Sequence, residues 1–224
     1  MWRPACGACN HPSIRYPASL VSVQVGKPRL HGTWRTGYFK APVDGPVWLG
    51  RTNLVGDAQA NRRVHGGPDK AVLAYAASHY TAWRAELDLP KLSYGAFAEN
   101  FSIDGLDEDT VCLGDIFRIG SARLQVSQPR QPCINIARRW QMPDLAERVA
   151  ATGRTGWYLR VLIEGQVEAG LRVDLVERLC PDWTISRATR AMTLRASAPA
   201  EAATLREVPG LSAAWRRTLS RLRT

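Results

Sequence analysis

Short stretches in which apolar and polar residues alternate dominate the sequence, and glycine or proline ends most of them. Three such stretches are SLVSVQVG (19–26), DIFRIGSARLQVSQP (115–129) and LRVDLVERL (171–179). Alternation with a period of two turns one face of a strand toward a core and the other toward solvent. Because these runs recur at close intervals with few helices between them, we expect a mainly β, α+β fold built on a β-barrel with peripheral helices.

Other segments extend this barrel or flank it. The segment 115–129 reads as a hairpin turned at Gly120 and Ser121. Further predicted strands are GPVWLG (45–50), KAVLAY (70–75) and a pair within GWYLRVLIEGQVEAG (156–170) that turns at Gly165 and Gln166. Peripheral helices are predicted over SHYTAWRAEL (78–87) and MPDLAERVAA (142–151).

After Pro181 the pattern changes to short capped helices. Thr184 and Ser212 are suited to be N-caps, and Pro199 is suited to a first helical turn. We therefore predict a lead-in segment at 1–18, a barrel domain at 19–180 and a separate three-helix domain at 183–224.

Composition excludes several classes of protein. Of 224 residues, 45% are hydrophobic and 22% charged, as in an ordinary globular protein, and no apolar run approaches the roughly 20 residues of a membrane span. The first residues lack the apolar region of a secretory signal. Five cysteines are few and odd in number, which argues against a disulfide framework. A cytoplasmic protein without a membrane partner is expected.

Positive charge is concentrated toward the end of the chain. The formal net charge is +10, and the segment 183–224 holds eight arginines against Glu201 and Glu207. A basic helical tail could bind nucleic acid, but the solvated face of any small bundle has the same composition. A nucleic-acid partner is therefore not favoured.

Cys133 follows a strand-like run in VSQPRQPC (126–133), where two prolines restrict its loop. The residues alone leave three roles open: a buried apolar group, a nucleophile or a metal ligand. A hydrolase that pairs Cys133 with His65 lacks any accompanying oxyanion-hole signature.

Two other motifs contain possible ligand groups. In HGGPDK (65–70), glycines allow backbone amides to approach a ligand and Lys70 adds charge, although a solvated turn would use the same residues. In CGAC (6–9), two thiols and nearby His11 could bind zinc, but a fourth local ligand is missing.

Taken in order, GDAQA, HGGPDKAVLAY, FAENFSIDGL, GDIFRIG, VSQPRQPC and GWYLRV resemble the MOSC domain, named for the C-terminal domain of molybdenum cofactor sulfurase. The similarity is greatest to the bacterial branch that contains the 6-N-hydroxylaminopurine resistance protein. It covers about residues 19–180, and the tail resembles the three-helix domain of that branch.

The resemblance implies a molybdenum cofactor with Cys133 as the protein's ligand to molybdenum, which suits the affinity of soft thiolates for soft metals. It further implies that Arg130 holds anionic cofactor oxygens and that His65, Asp69, Lys70 and Asn100 line the site. Pyridoxal phosphate binding is attached only to the superfamily as a whole.

The implied activity is reduction of N-hydroxylated small molecules such as 6-N-hydroxylaminopurine, with electrons from an external reductase. The sequence shows no nucleotide-binding glycine motif that would hold a flavin or nicotinamide. A cofactor carrier or sulfur-transfer module, which would use the same cysteine without turnover, is the alternative.

Overall fold

The computed structural model describes residues 18–61 and 64–221. Its strands are β1 (Ser19–Val25), β2 (Arg29–His31), β3 (Trp34–Thr36), β4 (Ala41–Pro42), β5 (Val47–Leu49), β6 (Val72–Ala76), β7 (Phe101–Asp104), β8 (Ile116–Ile119), β9 (Ala122–Pro129), β10 (Trp157–Ile163), β11 (Gly165–Val167) and β12 (Val173–Glu177). Its helices are α1 (His79–Glu86), α2 (Ile134–Trp140), α3 (Leu145–Thr152), α4 (Ile185–Thr193), α5 (Pro199–Glu207) and α6 (Ala213–Leu219), with a 3-10 turn at Pro68–Lys70. The predicted α+β class is confirmed.

Eight of the strands form one curved sheet in the order β12-β8-β9-β10-β6-β7-β1-β4. Its neighbours are antiparallel except for β6 and β7. A single bridge between Ser19 and Arg172 joins β1 to the segment that leads into β12, and the Leu20 amide donates to the Leu171 carbonyl at 2.9 Å. The sheet therefore curls until its distant strands meet, although no continuous ladder joins them there.

The strand and hairpin predictions are confirmed where alternation or burial is strong. β8 and β9 pair around Gly120, whose φ of 57° is a conformation that glycine adopts without strain. Every residue of β6 is buried, as the continuous apolar run KAVLAY indicates.

The predicted turn at Gly165 and Gln166 is wrong. Both residues lie in β11, which pairs with β5 rather than folding back on β10. A Cβ at Gly165 would lie 2.5 Å from the Ser121 side chain and 2.7 Å from the Ala122 amide nitrogen. Glycine is present here because two backbones approach closely, not because the chain turns.

Two apolar clusters hold the elements together. The larger combines sheet residues such as Leu124 and Trp157 with Ile185 and Trp215 of the C-terminal helices. The smaller packs α1, α2 and α3 around Trp83 and other buried side chains. Cys133 immediately precedes α2, and Ile136 anchors that helix in the smaller cluster, which fixes one end of the cysteine's loop.

The C-terminal helices begin where their caps predict. The Thr184 side chain accepts a hydrogen bond from the Arg187 amide at 3.1 Å, and the Ser212 side chain accepts one from the Trp215 amide at 3.2 Å. The division into domains at 18 and 183 stays a prediction. The possible zinc ligands Cys6, Cys9 and His11 lie outside the described residues, and none of the helices described is long and apolar enough to cross a membrane.

Candidate functional site

A cavity of about 350 Å³ opens where the β2–β3 hairpin, the HGGPDK turn and the segment 130–138 come together. Its walls include polar and cationic side chains from these three regions and from neighbouring segments. They are Arg35, Lys40, Gln59, Asn61, His65, Lys70, Asn100, Arg130, Gln131, Cys133, Asn135 and Arg138. No aspartate or glutamate lines it among the described residues. The cavity is therefore suited to an anionic ligand.

Five of the six residues expected at the site line this one cavity. His65, Lys70, Asn100, Arg130 and Cys133 come from three separate stretches of sequence and meet there. Asp69 is not among the lining residues. One of its carboxylate oxygens pairs with Arg160 at 2.9 Å and the other accepts from the Ala213 amide at 2.9 Å. Asp69 thus joins the HGGPDK turn to the start of α6.

Cys133 is the half-buried thiol of the cavity. Its carbonyl accepts a hydrogen bond from the Ile136 amide at 3.1 Å, so its backbone is held by the first turn of α2. Cys112 is different: it is 1% exposed, its thiol contacts the Pro181 carbonyl at 3.3 Å, and burial raises its pKa to about 11. Only the first of these two thiols faces a cavity that could hold a ligand.

Arg130 places a buried charge beside Cys133. The residue is 4% exposed, and its Nη2 donates to the Tyr38 hydroxyl at 3.1 Å. Its Nη1 is buried and makes no hydrogen bond with any described residue. Burial lowers the pKa of Arg130, but the neighbouring Tyr38, Tyr158 and Cys133 outweigh that effect, so the net shift is upward. A buried donor without a partner is costly unless a ligand supplies one.

Lys40 is a cavity cation that sequence reasoning missed. It forms an ion pair with Asp57, and the two side chains are 7% and 0% exposed. Burial lowers the pKa of Lys40, while Asp57 opposes that shift. Lys40 and Asp57 are 17 residues apart in the sequence, and no local motif links them. Only the folded chain brings them together.

Asn100 lines the cavity and forms hydrogen bonds with three neighbouring residues. Its side-chain oxygen accepts from the Leu73 amide at 3.1 Å. Its amide nitrogen donates to the Gln24 carbonyl at 3.1 Å and to Asp57 at 3.0 Å. These bonds use both ends of the side chain, so Asn100 positions Asp57, and through it Lys40.

The HGGPDK turn presents His65 and Lys70 together. Gly66 and Gly67 have φ of 84° and 87°, which few other residues adopt. Burial lowers the pKa of His65, and the positive charges of Lys70 and Arg130 lower it further. The neutral imidazole is therefore favoured, and it can accept a hydrogen bond from a ligand.

The cavity fits the anionic, sulfur-bound group that the sequence resemblance implies. Its features are an accessible thiol, an unpartnered buried guanidinium nitrogen and further cations. Cys133 could supply a soft ligand, while Arg130, Lys70 and Lys40 could face phosphate and other anionic oxygens.

Comparison with known proteins identifies the family. Residues 61–174 match the MOSC domain model. The chain is 37% identical to Protein YiiM of Escherichia coli over 94% of this chain and 93% of that protein. The crystal structure of YiiM from Geobacillus stearothermophilus superposes with a TM-score of 0.79 and 38% identity, covering 92% of this chain and 98% of that one. A protein of Gibberella moniliformis named Reductase is 36% identical over 80% of this chain but only 33% of its own length. The chain therefore belongs to the MOSC domain family.

Proposed function

We propose that this protein is a molybdenum-cofactor-dependent reductase of N-hydroxylated small molecules. The observation that carries the proposal is that the half-buried Cys133 and the buried Arg130, whose Nη1 has no partner among the described residues, line one cavity without acidic side chains. Membership of the MOSC family and similarity to a protein named Reductase support it.

The proposed reaction breaks the N–O bond of a hydroxylamine. Two electrons and two protons convert R–NHOH into R–NH2 and water. When bound, the cofactor would supply the two-electron chemistry at its metal, and an external reductase would return the electrons. Among the described residues no three His, Cys, Asp or Glu side chains converge as a metal site. A metal at Cys133 would therefore take its other ligands from the cofactor.

The chain's own residues would bind the ligand and provide a protonated hydroxyl group next to it. Arg130 and Lys70 would bind anionic oxygens. Burial raises the pKa of Tyr38 to about 12, against the opposing effect of Arg130, so its hydroxyl keeps its proton at neutral pH. That hydroxyl accepts from Arg130 and can donate its own hydrogen to the leaving oxygen.

The test replaces the cavity thiol and a matched packed thiol. Cys133→Ala should lose N-hydroxyl reduction almost completely while the free energy of unfolding changes by less than about 1 kcal/mol, because a half-buried thiol contributes little apolar contact. Cys112→Ala should keep most of its turnover. The assay is dye-coupled reduction of 6-N-hydroxylaminopurine by protein made in a cofactor-competent host, with molybdenum measured on the same samples.

Each outcome separates the alternatives. Full activity in Cys133→Ala, or equal loss in both variants, would overturn the role of Cys133. Wild-type protein that retains molybdenum but reduces no N-hydroxylated compound with any reduced dye would instead be a cofactor carrier or sulfur-transfer module.

A further inference from the structure

The outer part of the cavity continues into a second recess of about 370 Å³ between the β2–β3 hairpin and α2. Its lining is Thr33, Trp34, Arg35 and Arg138. Trp34, Arg35 and Arg138 also line the main cavity, so the two spaces share a wall. A ligand that reaches Cys133 could therefore extend over this wall.

Two arginines in the recess have no hydrogen-bond or ion-pair partner among residues 18–61 and 64–221. Arg35 and Arg138 are exposed, and neither side chain forms a hydrogen bond or ion pair with another described residue. They come from different elements, β3 and α2, and converge on one recess. Two free guanidinium forks facing the same space favour an oxyanion such as phosphate.

Trp34 supplies an aromatic surface next to these charges. Its ring meets Phe39 edge-on, with centroids 5.9 Å apart, and Phe39 in turn stacks on His31 at 3.8 Å. The guanidinium of Arg139 lies 4.8 Å from the Phe39 ring. Because its neighbours hold it, the half-buried Trp34 presents a fixed apolar wall on which a planar base can stack.

We infer that the recess is a substrate subsite for a purine nucleotide, with the base against Trp34 and the phosphate between Arg35 and Arg138. This inference deepens the proposed function, since it makes the phosphorylated form of an N-hydroxylated purine, rather than the free base, the better substrate. Arg130 is buried while Arg35 and Arg138 are exposed, so the two anion-binding regions serve different parts of the bound molecules.

The test measures binding rather than turnover. Cofactor-loaded protein is titrated calorimetrically with adenosine 5′-monophosphate, adenosine and inorganic phosphate. None of these probes contains an N-hydroxyl group, so none can be reduced. At low salt the monophosphate should bind at least about tenfold more tightly than adenosine, the value of one charge-assisted contact. Arg35→Gln and Arg138→Gln should each remove most of that preference, and salt should weaken it.

Matched variants separate the base from the phosphate. Trp34→Leu should weaken the monophosphate and adenosine by the same factor, about tenfold, because both contain the base. Arg123→Gln and Trp48→Leu alter an exposed arginine and an exposed tryptophan outside both recesses, so they should change neither affinity.

Three results would overturn the inference. The first is equal affinity for the monophosphate and adenosine, and the second is a preference that survives both arginine substitutions. The third is monophosphate binding that appears only in cofactor-free protein, together with loss of molybdenum from the arginine variants, which would assign the recess to the cofactor's phosphate. Tight monophosphate binding by protein that reduces no N-hydroxylated compound would defeat the proposed function and leave the nucleotide subsite standing.

Discussion

At the scale of single residues, the wall of the cavity around Lys40 depends on buried polar groups that hydrogen-bond to one another. Asn100 is 4% exposed and satisfies the Leu73 amide, the Gln24 carbonyl and Asp57. Asp57 also accepts from the Gly26 amide at 2.9 Å and pairs with Lys40. Asn100 thus positions Asp57, and Asp57 holds Lys40 in the cavity wall.

Asn100→Asp should destabilise the fold by about 2–4 kcal/mol, because it removes two buried donor bonds and sets a carboxylate against Asp57. Asn135→Asp is the control: Asn135 also lines the cavity, but its side chain bonds to no other described residue. That change should stay within about 0.5 kcal/mol. Urea denaturation of both variants measures the difference, and equal stabilities would show that the Asn100 contacts do not hold Asp57.

At the scale of elements, the segments with strong periodicity or clear caps could be predicted, and segments too short to show a period could not. The hairpin at Gly120 and the capped helices after Pro181 follow local rules. The β2–β3 hairpin has two three-residue strands, one fully exposed, and α2 has seven residues, so neither produces a pattern in the sequence.

The residues of the site also fall into two groups: those that a local motif indicates and those that only the fold brings to the cavity. Cys133 and Arg130 lie in a restricted loop that draws attention on its own, and both line the cavity. Trp34, Tyr38 and Lys40 reach it through sheet pairing and long-range packing, which no local motif encodes. Asp69 shares a turn with His65 and Lys70, but its side chain points to α6 instead.

Gly165→Ala tests whether the close backbone approach in β11 is the reason that a glycine occupies this position. A Cβ there would lie 2.6 Å from the Ser121 carbonyl carbon, so the β8–β9 hairpin would have to move, at a cost of about 1–3 kcal/mol. Gly50→Ala is matched to it, since Gly50 follows β5, the partner of β11, and its nearest neighbour would be 3.6 Å from the new Cβ. Thermal unfolding should show loss in the first variant and little change in the second; equal melting temperatures would mean that the close approach carries no energy.

At the scale of the whole molecule, the C-terminal helices are tied to the side of the sheet that holds the cavity. The Ser212 amide donates to the Ser127 carbonyl at 2.9 Å, and the Ser212 hydroxyl donates to Gln128 at 2.7 Å. Asp69 accepts from the next amide along, that of Ala213. These bonds join the start of α6 to the strand that leads to Cys133 and to the HGGPDK turn.

Ser212→Ala should therefore destabilise the entire protein rather than α6 alone. The change removes a helix cap and leaves Gln128 without a buried donor, which costs about 1–3 kcal/mol. Because apolar side chains of α4 to α6 share the larger cluster with the sheet, helical and sheet regions should unfold in one transition that shifts as a unit. Ser220→Ala, an exposed change at the other end of α6, should have almost no effect. Hydrogen exchange measured by mass spectrometry distinguishes the outcomes: if protection falls in α4–α6 while β9 and β10 keep theirs, the residues 183–224 are an independent domain and the shared core does not couple them.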